Sequence, residues 1–228
     1  MVTADDYRFL VAEDAINRIE NRVKLWGLPY PLNKAVALEQ IKKLKSTFMK
    51  IKYSYLPYTM LIEFEEFKNL EQFVRELASI LLPPKTLKLD TTTTKLAVAE
   101  IRYALSVLLG LRNRIALGDG NNPEYAIDIV GVEVGYVEKH PKAKKLWVTK
   151  AGTEQFSLTI VTNIQGIKKG ELRGAAILPP IAFFDIVSEA MYCTNPLEKS
   201  FKGKRIPSNF VHKVEIINVV ESIVENVR

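Results

Sequence analysis

The residues of this chain that are best suited to chemistry lie in one short basic segment. Four of the seven residues from 139 to 145 are lysines, and they flank a His-Pro pair: Lys139, Lys142, Lys144 and Lys145. Ammonium groups attract phosphates, and each neutralised phosphate releases counterions, so the segment predicts a polyanion site. Because a lysine acts as a point charge, such a patch contributes affinity rather than base choice. A solvated, lysine-rich turn has the same composition, and charge alone leaves both interpretations open.

A second basic cluster follows later in the chain, around Phe201. Its members are Lys199, Lys202, Lys204 and Arg205. Basic residues interleaved with an aromatic ring suit a surface that takes both phosphate and base. A mobile loop of the same composition is the competing interpretation.

Catalytic and metal-binding patterns are absent from the sequence. His140 has no serine or cysteine nucleophile in its motif, and Pro141 favours a turn role for it. The single cysteine, Cys193, cannot form an internal disulfide, and the chain offers only two histidines to join it at a metal. No phosphate-binding loop or dinucleotide fingerprint occurs. We therefore expect a non-enzyme with no metal and no cofactor, in which Cys193 is a buried small hydrophobe.

The bulk composition sets only broad limits. The 228 residues include 47% hydrophobic residues, which is enough for a packed core without disulfides, and carry a formal net charge of +6. This charge permits a nucleic-acid partner without requiring one. No run of about 18 uncharged apolar residues occurs, and the acidic N-terminus does not resemble a signal peptide. We expect a soluble, cytoplasmic protein with no membrane partner.

The first half of the chain has helical periodicity. Apolar residues recur three and four apart over residues 16–26, 41–51, 67–80 and 101–117. Asn33 and the Asp90–Thr94 segment supply N-cap candidates, and Pro83-Pro84 ends the third stretch. Residues 58–64 fit either a short strand or the start of the third helix. The pattern predicts an antiparallel helical bundle.

The period changes after a Gly- and Asn-rich break at 118–123. From Val130 onward apolar residues alternate with Gly and Glu, which predicts a strand that must bend. Further short strands are predicted at 147–149, 156–161, 175–178 and 191–194, with a helical turn within 162–169. The tail from Val211 is predicted as a strand followed by a helix. The expected architecture is α+β with two domains: a helical bundle over 1–119 and a five-stranded OB-fold barrel over 124–228.

Two aromatic residues of the predicted strands are ambiguous. Trp147 and Tyr136 could stack on unpaired bases if they lie on the barrel surface. Strand aromatics also commonly belong to the core. The sequence does not separate the two roles.

The second half resembles a family of tRNA-binding domains, over roughly residues 126–205. This family includes the C-terminal module of methionyl-tRNA synthetases, the endothelial monocyte-activating polypeptide and free-standing tRNA-binding proteins. Its H-P-x-A-x-K-L motif is matched here by residues 140–146, and its serine and methionine near the last strand by Ser188 and Met191. The chain departs from the family at Lys144, where an aspartate is usual, and at Ala190, where a glycine is usual.

The resemblance implies a non-catalytic tRNA-binding protein that recognises the folded shape of tRNA through phosphate and sugar contacts. Lys145 and Ser188 are the contacts best carried over from the family, and Arg173 follows them. The complete set of expected RNA-binding residues is Lys139, His140, Lys142, Lys144, Lys145, Arg173, Ser188, Met191, Lys202, Lys204 and Arg205. The resemblance also implies an auxiliary role for aminoacyl-tRNA synthetases. The helical domain would then dock a synthetase or form a homodimer.

Two other function classes compete with this interpretation. A chaperone-like family linked to protein export uses the same barrel, and it would require an apolar groove for unfolded polypeptide. The lysine-rich segment argues against it. A synthetase would carry H-I-G-H or K-M-S-K-S motifs, and the sequence contains neither.

Overall fold

The computed structural model describes residues 3–26, 28, 30–84 and 87–227. The chain divides into two compact units: Met1–Ile127 together with Val219–Arg228, and Asp128–Asn218. The predicted two-domain α+β architecture is confirmed. The second unit begins at Asp128 rather than at 124, because Pro123–Tyr125 forms a 3₁₀ turn that belongs with the helices. The tail from Val219 also belongs to the helical unit and not to the strands.

The helical unit contains the four predicted long helices. The helices of the first half are α1 (Tyr7–Asn21), α2 (Lys34–Lys52), α3 (Tyr58–Leu61), α4 (Glu66–Leu81), α5 (Thr92–Leu109) and α6 (Leu111–Ile115). A π-helical turn, Arg22–Trp26, extends α1. The predicted caps are confirmed, because the side chains of Asn33 and Thr91 accept from the amides of Val36 and Thr94 at 3.2 and 3.1 Å. The ambiguous segment 58–64 starts with the short helix α3.

Side-chain burial follows the predicted periodicity. α1 packs against α5, and α2 packs against α4. Their contact faces carry fully buried residues such as Phe9, Phe48 and Leu70. Burial of such side chains contributes roughly 1.5–3 kcal/mol each.

One buried ion pair ties the beginning of α1 to the end of α6. The guanidinium of Arg8, which is 1% exposed, donates to the Asp6 carboxylate at 2.9 and 2.8 Å. It also donates to the carbonyl oxygen of Gly118 at 2.6 Å. A buried charge is stable only when it is paired and hydrogen-bonded in this way. The pair therefore stabilises this end of the bundle.

The second unit is a five-stranded antiparallel sheet. Its strands are β1 (Ile129–Lys139), β2 (Trp147–Gly152), β3 (Ser157–Thr162), β4 (Leu172–Phe183) and β5 (Ile186–Tyr192), in the order β3-β2-β1-β4-β5. β1 has a β-bulge at Gly135. Val134 and Tyr136 pair with the consecutive β2 residues Ala151 and Lys150, and Gly135 between them has no partner on β2. Such a bulge bends the strand, as the glycine pattern predicted.

The predicted barrel is not closed by a backbone ladder. Among the described residues no such ladder joins β3 to β5, so the sheet has two edge strands. Two side chains of β5 bridge the edges instead. Ser188 Oγ accepts from the amide of Val161 at 3.0 Å, and the Glu189 carboxylate accepts from the amide of Thr159 at 3.0 Å. These bonds satisfy edge amides that would otherwise be open to pairing with another chain.

Three local predictions are wrong. Residues 163–171 form turns, with Gly166 and Gly170 at φ of +73° and +86°, and not a helical turn. The last strand is Ile186–Tyr192 rather than 191–194. The predicted strand after Val211 is part of helix α7 (Lys213–Val224), because the spacing of its apolar residues suits a helix. The buried residues of that helix are Ile216, Val220, Ile223 and Val224.

Gly131 is required by a close approach of the chain. The segment around Phe201 runs against β1, where the amide of Gly203 donates to the Gly131 carbonyl at 2.8 Å and the Gly131 amide donates to Lys204 O at 2.9 Å. A Cβ at this position would overlap the carbonyl oxygen of Phe201. A backbone group cannot rotate away as a side chain does, so only glycine fits.

We expect Gly131→Ala to lower the free energy of unfolding by about 1–3 kcal/mol, because the added methyl overpacks against backbone. Gly135→Ala is the matched control, since its Cβ would lie at an ordinary 3.6 Å from Lys150 O. Its effect should stay within about 1 kcal/mol. Urea denaturation midpoints of the two variants check this. Equal losses of stability in both would contradict the close approach at Gly131.

Candidate nucleic-acid interface

The basic segment forms a tight loop between β1 and β2. His140 opens the loop, and its amide donates to Leu146 O at 3.0 Å. Inside the loop the amide of Ala143 donates to His140 O at 3.4 Å, and that of Leu146 donates to Ala143 O at 3.1 Å. Lys142, Lys144 and Lys145 are all exposed on this loop. We call residues 140–146 the basic loop.

His140 anchors the basic loop from inside the sheet unit. The side chain is 4% exposed, and its Nδ1 accepts from the amide of Lys142 at 3.1 Å. Because Nδ1 is the acceptor, Nε2 carries the hydrogen and donates to the carbonyl oxygen of Phe183 at 3.2 Å. The neutral imidazole thereby connects the loop to the end of β4. His140 therefore supports the predicted contact surface and is not itself exposed on it.

The β4–β5 turn lies beside the basic loop. It consists of Phe184 and Asp185, and the Phe184 ring centroid is 5.6 Å from that of His140. Lys142 Nζ lies 3.4 Å from the Asp185 carboxylate. The backbone hydrogen bond of Asp185 and then the Lys142 ammonium hold the pKa of this carboxyl below its usual value. The ring contact and the ion pair thus join the loop to the turn.

The four lysines of the segment differ in their surroundings. Lys139 Nζ lies 5.7 Å from the centroid of the Trp147 ring, within cation–π range. Lys142 shares its charge with Asp185. Lys144 and Lys145 make no ion pair with any residue that the structure describes. These two ammonium groups are therefore the most available for a phosphate.

The two ambiguous aromatic residues occupy different positions. Trp147 is partly buried and packs against the core of the sheet. Tyr136 is 48% exposed, and its hydroxyl donates to the Glu138 carboxylate at 2.8 Å. The core interpretation therefore holds for Trp147 and not for Tyr136.

The second basic cluster lies away from the basic loop and is partly neutralised. Lys202 pairs with Glu133 at 2.9 Å and with Glu154 at 2.6 Å, and these carboxylates raise its pKa. Arg205 lies 3.8 Å from the Asp128 carboxylate. The backbone of Lys202 forms an isolated β-bridge with Gly131. Gly131 lies eight residues before Lys139 on β1, so the two clusters are separated by roughly 26 Å along that strand. The structure therefore does not bring the two predicted clusters together.

The other two members of the second cluster, Lys199 and Lys204, are exposed and form no ion pair with the residues that the structure describes. Both lie in the same segment as Lys202, at the far end of β1. A ligand on the basic loop would have to extend along the whole strand to reach them.

Three further predicted contacts lie in or near the core. Arg173 is 8% exposed and donates to the Glu171 carboxylate at 2.9 Å and to Thr194 O at 3.2 Å. Ser188 is buried, donates to Ala190 O at 3.1 Å and bridges β5 to β3. Met191 is half-buried on β5 opposite Ala176. The positions of Arg173 and Ser188 do not support RNA contact, because their polar groups already bond within the sheet unit.

No sequence motif points to Phe184 or Asp185. Phe184 has a φ of +57° and is 64% exposed. A two-residue hairpin turn usually places Asn, Asp or Gly at such a position. Asp185 is a common turn residue, but the position with positive φ carries Phe184, so the segment F-F-D is only a weak turn signal.

We expect His140→Phe to loosen the basic loop while keeping an aromatic ring in place. The variant loses the acceptor for the Lys142 amide and the donor to Phe183 O, and unpaired buried groups cost about 1–3 kcal/mol each. Trypsin cleavage after Lys142, Lys144 and Lys145 should therefore accelerate by about ten-fold, since 1.4 kcal/mol of loop opening corresponds to that factor. Mass spectrometry of the fragments measures it, and cleavage after Lys168 serves as the control site. Unchanged cleavage in the basic loop would show that the imidazole does not anchor it.

Comparison with known proteins places the helical unit in a family. Residues 1–118 match the model of a family described as an alpha helical domain, which is 118 of the 228 residues. No curated protein matches the chain. No helix among the described residues combines the length and apolar character needed to cross a membrane. Because this family model matches more than half of its length, the chain belongs to the alpha helical domain family.

Proposed function

We propose that this protein binds tRNA without catalysis, through the basic loop of its sheet unit. The observation that supports this proposal most is the buried His140 anchor, which holds a lysine-bearing surface loop in one conformation. The three lysines on that loop are Lys142, Lys144 and Lys145. Affinity then arises from phosphate neutralisation and counterion release.

A solvated turn explains the basic loop less well than a binding site does. A solvated turn needs no internal anchor, whereas His140 is desolvated and makes two side-chain hydrogen bonds to hold this loop. Ordering a loop before binding reduces the entropy cost of association. Lys144 and Lys145, which the described residues leave without carboxylate partners, are the groups that gain most from a phosphate.

The choice of tRNA among polyanions follows from the resemblance of residues 126–205 to the tRNA-binding family. Lysine contacts follow the sugar-phosphate contour and carry little base information. Folded RNA is recognised largely by such shape-dependent contacts. The proposed role is an auxiliary one for aminoacyl-tRNA synthetases in the cytoplasm. The contacts in this proposal are limited to the basic loop and Lys139, since the other predicted residues are buried, paired or distant from the loop.

The salt dependence of tRNA binding tests the proposal. We expect Lys144→Ala/Lys145→Ala to weaken binding and to reduce the log–log salt slope by about 0.7–0.9 for each phosphate that the two lysines neutralise. The matched control is Lys168→Ala/Lys169→Ala, an exposed lysine pair of the same sheet unit. Filter binding across a salt series measures both variants.

The control pair separates a site from a general charge effect. Equal reductions in affinity for both double variants would show that overall charge, and not the basic loop, attracts tRNA. An unfolded peptide that displaces tRNA at matched salt would favour a polypeptide-binding role. No measurable tRNA binding by the wild-type chain would overturn the proposal.

We further propose that the helical unit docks a synthetase or a second copy of the chain. Its segment between α2 and α4 exposes large apolar side chains, among them Tyr55 at 76% and Met60 at 59%. Tyr55 also has a φ of +54°, which is uncommon for a bulky residue. Exposed apolar residues that cluster in one segment are typical of interaction sites.

We expect sedimentation velocity to give a mass above the monomer for the full chain, alone or mixed with a synthetase. Tyr55→Ser should shift that equilibrium toward the monomer, because the substitution removes the exposed ring. Tyr53→Ser, on the same segment, gives a comparison, since its ring is less exposed at 47%. A monomer under all conditions would contradict the docking role and would leave the tRNA proposal unaffected.

A further inference from the structure

The β4–β5 turn has an unusual residue at its tip. Phe184 occupies the left-handed region, with a φ of +57°, in a two-residue turn between Phe183 and Ile186. Bulky residues rarely adopt this conformation because the Cβ crowds the following carbonyl. Strained residues of this kind concentrate at functional sites. The position therefore calls for an explanation beyond turn formation.

The ring of Phe184 is supported on one side and accessible elsewhere. Its centroid lies 5.6 Å from that of His140, with the ring planes tilted by 54°. Nevertheless 64% of the residue is exposed to solvent. A ring that served only the core would be buried, whereas this one is held in place and remains open to a ligand.

Cations lie next to this ring. Lys142 is joined to the turn by its ion pair with Asp185 and to His140 by its amide. Lys144 and Lys145 follow on the same loop. Proteins that bind single-stranded nucleic acid combine a positively charged surface with aromatic rings on which bases stack. The basic loop and the Phe184 turn provide both within one anchored unit.

We propose that Phe184 is a stacking platform for one unpaired base, so that the basic loop takes single-stranded RNA rather than only the duplex contour. This inference rests on the proposed RNA-binding function and adds its ligand class. The base stacks on the exposed part of the ring, and the flanking phosphates contact Lys144 and Lys145. Stacking on a phenyl ring accepts any base, so the site selects unpaired nucleotides without reading their sequence.

A cycle of protein and RNA changes tests the proposal in the full chain. The RNA probes are two single-stranded oligoribonucleotides of about nine nucleotides, a length within the usual site size of a single-strand binder. One carries 2-aminopurine at its centre, and the other carries an abasic residue at the same position. The protein variants are Phe184→Leu, which keeps an apolar contact to His140, and Phe184→Tyr, which keeps an aromatic ring.

We expect the wild-type chain to quench 2-aminopurine fluorescence on binding and Phe184→Tyr to preserve the effect. Phe184→Leu should lose the quenching and bind the 2-aminopurine oligonucleotide about 5- to 150-fold more weakly. The abasic oligonucleotide should bind both proteins equally. Lys144→Ala/Lys145→Ala should weaken both oligonucleotides by the same factor.

Other outcomes overturn the inference in distinguishable ways. An equal reduction in affinity for both oligonucleotides in Phe184→Leu would show that the ring only supports the loop, and faster amide exchange at Lys142 in that variant would identify the cause. Binding of tRNA without binding or quenching of the 2-aminopurine probe would overturn the stacking platform alone. Binding of neither RNA would overturn the tRNA proposal as well.

Discussion

The candidate interface depends on one desolvated imidazole. One ring nitrogen of His140 bonds to the basic loop at the Lys142 amide, and the other bonds to Phe183 O, 43 residues away at the end of β4. Because one nitrogen must accept and the other must donate, a single neutral tautomer fits both partners. Lysine or glutamine at this position would place a charge or a flexible chain in the interior. The ring geometry, rather than proton transfer, therefore explains why a histidine stands in a segment with no catalytic partner.

The two basic clusters have similar compositions but differ in how many of their cations are neutralised by carboxylates. Both have four cations within seven residues. Around Phe201 the carboxylates of Glu133, Glu154 and Asp128 neutralise two of the four cations, since they lie on strands and turns that fold against that segment. The basic loop meets Asp185 and leaves the later lysines to solvent. Electrostatic attraction to a polyanion scales with uncompensated charge. The four lysines of residues 139–145 therefore attract a polyanion more strongly than the cluster around Phe201 does.

The sequence predicted what local periodicity determines. The four long helices of the first half and four of the five strands follow from apolar spacing, and the caps follow from the side chains of Asn33 and Thr91, which accept from nearby backbone amides. It failed where two local patterns compete or where a neighbouring strand decides which polar groups are satisfied. Val214 and Ile216 alternate as a strand would, yet burial of residues three and four apart makes that segment a helix. The family resemblance implies RNA contacts for Arg173 and Ser188, but neither it nor residue type reveals which polar groups a neighbouring strand will satisfy.

Ser188 matches a serine of the tRNA-binding family, but its hydroxyl has a structural role in the sheet. An edge strand presents amides that need acceptors, and a short hydroxyl on the adjacent edge supplies one without a continuous ladder. Glu189 repeats the arrangement one residue later with the amide of Thr159. The pairing of β4 with β5 is interrupted between Ile177 and Ile181, where Pro179 and Pro180 lack the amide hydrogens that a regular ladder would use. That bulge lies on the stretch of β4 that leads to the Phe184 turn, so the irregular part of the strand ends beside the basic loop.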